Sequence, residues 1–337
     1  MTDTNRRFLL TARPDGMPKD SDFALVDAPL PELQPGEFLI RNHYASLDPA
    51  IRGWLDDVPS YLPPVALGDP VRATTVGIVE ESKAEGFKPG DWVMGLNGIE
   101  HYSVGKLGGF TQPIDVSLVP SPTNFLSVMG AVGLTAYFGV IEILQPKSGQ
   151  TLLVSGAAGA VGSLVGQLGK RAGCRVIGIA GGPAKCARLI DDYGFDAAID
   201  YRGKDAAALS ADIGAAAPDG IDLVFENVGG VGLDATLDHL NQFAQVALCG
   251  LISEYNSEHY GTRNLWQLIV HSATIRGFLI SEFLDRFVEG GTAMAKMAAE
   301  GTLRFDEHIE EGIDNALPAF LRLFEGSNQG KMILKLI

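Results

Sequence analysis

A glycine-spaced turn between an apolar run and an amphipathic segment constrains the fold of this 337-residue chain more than any other feature. The apolar run is 151–154, and the turn has the spacing Gly156-x-x-Gly159-x-x-Gly162. After the turn, apolar residues recur at helical intervals. A strand, a glycine turn and a helix are the parts of a dinucleotide pyrophosphate site, because glycines let the backbone approach the phosphates and the helix N-terminus offers N–H groups. The residues predicted to contact the pyrophosphate are Gly156, Gly159, Ala160, Val161 and Gly162.

The alternation of strand and helix continues on both sides of this turn. Strands are predicted near 151–155, 175–180, 196–200, 221–226 and 244–249. Helices are predicted near 160–172, 183–193, 204–214 and 231–241, with further helical stretches at 126–144, 283–300 and 313–325. Such alternation is typical of an α/β domain with a parallel, doubly wound (Rossmann) sheet.

The part of the chain before residue 125 has a different pattern. Short strands are separated by Gly, Pro and Asp turns, and they are predicted near 7–11, 38–44, 71–80, 91–94 and 117–119. This pattern favours a partly closed antiparallel barrel, to which an apolar terminal strand, 331–337, is expected to return. We therefore expect a barrel domain from 1–124 and 306–337, and a dinucleotide-binding domain from 125–305.

The charge balance excludes several classes of partner. The chain has 41 Asp and Glu against 26 Lys and Arg, for a net charge of −15. An acidic chain of this kind is not expected to bind nucleic acid or an anionic membrane surface. No signal peptide and no membrane span are expected either. The three cysteines, Cys174, Cys186 and Cys249, have no metal-ligand spacing and predict reduced thiols in a cytoplasmic protein.

No metal site is predicted. No cysteine precedes Cys174, and His43 and His101 lack partner ligands at zinc-binding spacing, so both are interpreted as surface or structural histidines. A substrate oxygen would then be activated by hydrogen-bond donors instead of a Lewis acid.

The end of the second predicted strand indicates NADP as the cofactor. An NAD enzyme places Asp or Glu there, on the ribose hydroxyls. This chain has Ala180-Gly181-Gly182-Pro183-Ala184-Lys185 instead, without a carboxylate. A carboxylate would repel a 2′-phosphate, whereas the Lys185 ammonium would neutralise it. Gly181 and Lys185 are therefore predicted cofactor contacts, and Arg188 is a weaker candidate on the solvated helix face.

Further motifs extend over nearly the whole chain: Ser46-Leu47-Asp48-Pro49 with Arg52-Gly53, Ser60-Tyr61-Leu62-Pro63-Pro64-Val65, Gly133-Leu134-Thr135-Ala136-Tyr137-Phe138-Gly139, Glu226-Asn227-Val228-Gly229-Gly230, Cys249-Gly250 with Tyr255-Asn256, and Asn328-Gln329-Gly330-Lys331. Together with the glycine turn they resemble the medium-chain dehydrogenase/reductase superfamily. The resemblance is strongest to its zinc-independent, NADPH-dependent double-bond reductases: the prostaglandin (leukotriene) reductases, the plant alkenal reductases and the bacterial curcumin reductases.

This resemblance implies a GroES-like barrel joined to a Rossmann domain, NADP as cofactor, and a homodimer. It also implies that Lys185 and Tyr201 bind the 2′-phosphate. The further cofactor contacts predicted are Pro49, Thr135, Asn227, Val228, Gly250, Tyr255 and Asn328. The chain departs from the family at Ala50, where the relatives have a tyrosine near the substrate, and at Ile99, where they have a tryptophan.

The activity that the resemblance implies is hydride transfer from NADPH to the β-carbon of an α,β-unsaturated ketone or aldehyde. A hydroxyl group would stabilise the enolate, and the candidates are Tyr61, Tyr255 and the cofactor ribose. Two alternatives stay open: zinc-free reduction of a quinone or carbonyl on the same scaffold, and a sensor that binds NADPH without turnover.

Overall fold

The computed structural model describes residues 4–337, which divide into two compact units. The first unit comprises the chain up to Leu126 together with Glu307–Ile337, and the second comprises Ser127–Asp306. The strands are β1 (Thr4–Leu10), β2 (Phe23–Pro29), β3 (Glu37–Ser46), β4 (Arg72–Ser82), β5 (Trp92–Gly98), β6 (Tyr102–Lys106), β7 (Gln112–Pro113), β8 (Thr151–Val154), β9 (Arg175–Ala180), β10 (Ala197–Asp200), β11 (Ile221–Glu226), β12 (Leu240–Leu248), β13 (Thr274–Gly277), β14 (Glu307–Glu311) and β15 (Lys331–Lys335). The α-helices are α1 (Ile51–Trp54), α2 (Ala131–Phe138), α3 (Ala160–Arg171), α4 (Pro183–Asp191), α5 (Ala206–Ala216), α6 (Gly230–Leu237), α7 (Trp266–Val270), α8 (Phe287–Ala299) and α9 (Ala316–Glu325).

The first unit is built around a mainly antiparallel sheet. Its strand order is β14-β15-β3-β4-β5-β7, and β6 pairs with β3. The pair β14–β15 is parallel, while the other pairs of this sheet are antiparallel. The terminal strand β15 lies against β3, with Ile333 opposite Ser46, so the expected return of the chain end to this sheet is confirmed.

The second unit contains a six-stranded parallel sheet in the order β10-β9-β8-β11-β12-β13. All four residues of β8 are buried, as a central strand with both faces covered requires. The strand order changes direction between β8 and β11, and ligands of such sheets bind at the carboxyl ends beside this point. Both predicted domain folds are confirmed, and β13 adds a strand that the sequence pattern did not indicate.

One predicted strand is wrong, and one predicted helix is too long. Residues 117–119 are not a strand, because the Asp115 carboxylate accepts the Ser117 N–H (3.0 Å) and closes a 3-10 turn over Val116–Leu118. The helix predicted over 231–241 ends at Leu237, and β12 already begins at Leu240.

Two predicted long helices are shorter than expected. The stretch 126–144 forms α2 only from Ala131 and continues as a π-helical turn over Gly139–Leu144. The stretch 283–300 becomes α-helical only at Phe287, since Phe283 is non-helical and its ring stacks on Phe138 with centroids 4.6 Å apart. The longest helix, α8, has 13 residues, and over residues 4–337 no helix has the length and apolar character needed to cross a bilayer.

Candidate cofactor and active site

The glycine turn of the second unit is anchored to both neighbours of β8. Ser155 donates its N–H to the Phe225 carbonyl of β11 (3.1 Å), and Ala157 donates to the Ile179 carbonyl of β9 (3.0 Å). Between them, Gly156 has φ = +57°, a conformation that L side chains disfavour. The turn is therefore held at the carboxyl edge of the sheet, beside the switch point.

Gly162 is the position where the turn tolerates no side chain. A Cβ there would lie 2.5 Å from the Gly156 carbonyl oxygen and 2.8 Å from the Ala157 Cα. Gly159 adopts an extended conformation before α3, and none of the described side chains caps this helix. The first N–H groups of α3 therefore face the turn, and such groups bind anions. This cradle fits a pyrophosphate.

A cationic corner lies where β9 and β10 end. A Cβ on Gly181 would lie 3.0 Å from the Tyr201 hydroxyl, and a Cβ on Gly182 would lie 3.2 Å from Arg202 Nη1. Burial and the nearby charges of Arg202 and Arg188 lower the pKa of the half-buried Lys185. Positive charge is therefore concentrated at this corner, where the sequence predicts the 2′-phosphate contacts.

Arg202 belongs to this corner and is missing from the sequence-based prediction. The nearby Asp200 carboxylate is hydrogen-bonded to the backbone: one of its oxygens accepts the N–H groups of Gly182 (2.7 Å) and Arg202 (3.0 Å). The sequence feature that points to Arg202 is its place directly after Tyr201, at the end of a strand that pairs with β9.

The loop after β11 is bonded to the glycine turn. Asn227 donates its backbone N–H to Ser155 Oγ (2.8 Å) and its side-chain amide to the Ser155 carbonyl (2.7 Å). A Cβ on Gly156 would lie 3.4 Å from Val228 Cγ2. The structure thus brings Asn227 and Val228 together with the turn.

The loop after β12 carries the next two predicted residues. A Cβ on Gly250 would lie 2.9 Å from the Tyr255 hydroxyl, which also accepts the Leu251 N–H (3.4 Å). Gly250 itself donates to the Glu226 carbonyl (3.2 Å). Thr135 is distant from these loops in the sequence. It is the fifth residue of α2, and its role stays a prediction.

Pro49 and Asn328 lie on two segments of the first unit that a buried lysine joins. Lys331, only 2% exposed, donates to the Leu47 carbonyl (2.6 Å) and to Asp48 Oδ1 (2.7 Å). Pro49 follows directly, and Asn328 precedes Lys331 in a loop where its amide bonds to the Gly330 carbonyl (3.0 Å). The ion pair therefore fixes one segment against the other.

Tyr61 is exposed and has a defined orientation. Its side chain is 52% exposed, and its hydroxyl accepts the indole N–H of Trp54 (3.0 Å). Tyr61 belongs to the segment 54–65, whose two ends are joined because Val65 donates its N–H to the Trp54 carbonyl (2.8 Å). Trp54 is one helical turn after Ala50, on the same face of α1.

Within residues 4–337, His, Cys, Asp and Glu side chains form no group of three that could hold a metal ion. His43 packs near the Trp92 ring, with centroids 5.2 Å apart, and burial lowers its pKa. Its Nε2 atom is buried with no hydrogen-bond partner among the described atoms.

Comparison with known proteins gives matches over the whole chain. Residues 6–112 match the family profile described as an N-terminal domain of oxidoreductase, and 160–296 match the zinc-binding dehydrogenase profile. The chain is 38% identical to the NADPH-dependent curcumin reductase of Escherichia coli (98% of this chain, 96% of the relative). It is 35% identical to the NADP(+)-dependent 2-alkenal reductase of Nicotiana tabacum (98% and 97%). The crystal structure of CurA from Vibrio vulnificus in complex with NADPH superposes with a TM-score of 0.92 at 39% identity (98% and 99%).

Proposed function

Because this chain belongs to the medium-chain dehydrogenase/reductase family, in the group of curcumin, 2-alkenal and prostaglandin reductases, we propose that it reduces the C=C bond of α,β-unsaturated ketones and aldehydes. It is an NADP-dependent oxidoreductase. NADPH supplies the hydride, which on this proposal reaches the β-carbon of the substrate. The observation that carries the proposal is the glycine-turn cradle beside a cationic corner, in a chain similar over its whole length to enzymes named for such substrates.

The test is NADPH oxidation across a panel of enals, linear and cyclic enones, and quinones, with identification of the products. We expect consumption of the alkene with the carbonyl intact. An alcohol product, or activity on quinones alone, would favour the carbonyl or quinone alternative. Tight NADPH binding without turnover on any member of the panel would favour the sensor.

We propose that the reaction needs no zinc. Support comes from the sequence, since the chain has no cysteine before Cys174. Prolonged treatment with a chelator is expected to leave the rate unchanged, with metal content measured in the same sample. A rate that falls on chelation and returns with zinc would contradict this proposal.

Lys185 is proposed to select NADP over NAD. Lys185→Ala is expected to raise the Kd for NADPH about tenfold and to leave the Kd for NADH unchanged, because a charge-assisted hydrogen bond contributes ~1.5 kcal/mol. Fluorescence titration with both nucleotides measures the effect. Lys296→Ala is the control, since this exposed lysine of α8 pairs with Glu300 (3.9 Å) and is no part of the cationic corner. Equal losses for both nucleotides would contradict a phosphate-specific role.

Tyr61 is the proposed donor to the substrate oxygen. Negative charge develops on that oxygen as the β-carbon accepts hydride, and a positioned hydroxyl stabilises it. The Trp54 N–H occupies an acceptor position of the Tyr61 hydroxyl, so the phenol proton is directed away from the indole.

Tyr61→Phe is expected to lower kcat about tenfold with an enone, as loss of one hydrogen bond to a charged oxygen predicts. Steady-state kinetics give the change, and the buried Tyr102 provides a control as Tyr102→Phe. Unchanged turnover in Tyr61→Phe would remove it from this role and favour Tyr255.

We also propose a homodimer that forms through the β13 edge of the parallel sheet. This edge lies beside exposed apolar side chains, among them Phe243 (75% exposed), Trp266 (68%) and Ile269 (68%). Open sheet edges and apolar patches are typical of interfaces. Light scattering is expected to give twice the chain mass of 35.8 kDa. Trp266→Glu should shift the protein towards the monomer, whereas Phe110→Glu, an equally exposed site on the first unit, should not.

A cytoplasmic location is proposed from the cysteines. Cys174, Cys186 and Cys249 are unpaired in the structure. Free thiols of this kind are typical of a reducing compartment.

A further inference from the structure

Glu226 is a fully buried acid at the carboxyl end of β11. Its exposed fraction is 0%, and a single oxygen, Oε1, accepts three hydrogen bonds. The donors are the Ser155 hydroxyl (2.6 Å), the Val228 N–H (2.6 Å) and the Gly229 N–H (2.7 Å). One donor belongs to the glycine turn after β8, and the other two belong to the loop after β11.

The same residue reaches a third loop through its backbone. The Glu226 carbonyl accepts the N–H groups of Cys249 (2.9 Å) and Gly250 (3.2 Å), which follow β12. Ser155 begins the glycine turn after β8, and Val228 lies in the loop after β11. One residue therefore joins the loops at the carboxyl ends of three adjacent strands.

The other carboxyl oxygen, Oε2, is buried and has no hydrogen-bond partner among the described atoms. Burial raises the pKa of Glu226, which favours the neutral acid.

We propose that Glu226 is a positioning residue of the NADP site, which holds the glycine turn, the Asn227–Gly229 loop and Gly250 in their coenzyme-binding arrangement before NADPH arrives. The inference rests on NADP use and does not depend on the substrate. Preorganised loops bind more tightly, because the cost of ordering them is met during folding.

Asp222 provides a matched control at the other end of the same strand. Its carboxylate accepts the Thr151 N–H (2.8 Å) and the Asn241 side-chain amide (2.9 Å), so it also joins β11 to β8 and β12. Glu226→Leu removes a fully buried acceptor and Asp222→Leu a partly buried one, and both acceptors join the same three strands. The two variants differ in position: Glu226 lies at the carboxyl end of β11, beside the coenzyme cradle, and Asp222 lies near its amino end.

The experiment measures Kd for NADPH by fluorescence titration and Tm by thermal melting in the apo protein. Glu226→Leu is expected to raise Kd at least about tenfold, whereas Asp222→Leu lowers Tm but keeps Kd within about threefold of the parent. Glu226→Gln should raise Kd less than Glu226→Leu, because its carbonyl oxygen can still accept hydrogen bonds from the donors that surround Oε1.

An unchanged Kd in Glu226→Leu, or an equal loss in Asp222→Leu, overturns the proposal. If Glu226→Leu does not fold, Ser155→Ala decides. It removes the bond from the glycine turn to Glu226, together with the Asn227 N–H bond to Ser155 Oγ, and keeps the bonds of Glu226 to Val228 and Gly229. A Kd unchanged from the parent again overturns the proposal. Failure of the parent to bind NADPH would instead refute the cofactor, which separates the two claims.

Discussion

Gly162→Ala is expected to raise the Kd for NADPH roughly a hundredfold, which corresponds to ~2.7 kcal/mol of binding free energy. The added Cβ would lie 2.5 Å from the Gly156 carbonyl oxygen and 2.8 Å from the Ala157 Cα. Both are backbone atoms, so no side-chain rotation relieves the overlap and the whole turn must move. The turn is also bonded to β9 and β11, and its displacement should therefore lower the free energy of unfolding by ~1–3 kcal/mol.

Gly232→Ala in α6 is the control for this substitution. No atom lies within 4 Å of a Cβ at that position, so alanine should stabilise the helix by ~1 kcal/mol and leave coenzyme binding unchanged. NADPH titration and thermal melting of both variants give the comparison. Binding of NADPH by Gly162→Ala with the parent's Kd would show that the turn is not the pyrophosphate cradle.

The sequence was sufficient to predict the parallel sheet and its glycine turn, because both depend on local patterns. Buried parallel strands such as β8 are short continuous apolar runs, and the helices between them keep an amphipathic period. The terminal strand β15 was also predictable, since four of its five residues are buried.

The elements missed from the sequence are those that tertiary contacts define. Three of the four residues in β13 are exposed, so the strand has no apolar alternation and exists because it pairs with β12. The stretch around Phe283 leaves the helical conformation where its ring stacks on Phe138, a contact between residues far apart in sequence.

The same distinction applies to the candidate site. Gly156 is predicted from the glycine spacing and Lys185 from the missing carboxylate after β9, whereas Arg202 joins the cationic corner only because β10 pairs with β9. The Trp54–Tyr61 hydrogen bond depends on how the intervening segment closes, which no periodicity encodes.

Asp48→Ala is expected to lower the free energy of unfolding by ~3 kcal/mol, since it leaves the buried Lys331 ammonium without its bonded carboxylate and with only the charge of Glu307 nearby. Lys331 is 2% exposed and donates to Asp48 Oδ1 at 2.7 Å. Its remaining described acceptor is the Leu47 carbonyl, which carries no net charge. Burial already lowers the pKa of Lys331, and the negative charges of Asp48 and, more weakly, Glu307 oppose that effect.

Urea denaturation of two further variants separates charge from hydrogen bonding in this pair. Asp48→Asn keeps an oxygen that can accept from Lys331, so it should cost less than Asp48→Ala. Lys331→Met removes the buried charge and leaves Asp48, which is partly exposed to water, so it should also cost less. Equal losses in all three variants would mean that packing, and not the buried charge, sets the stability of this segment. A larger loss of stability in Asp48→Ala than in the other two variants would show that the Lys331–Asp48 ion pair holds the Pro49 segment against the loop that contains Asn328.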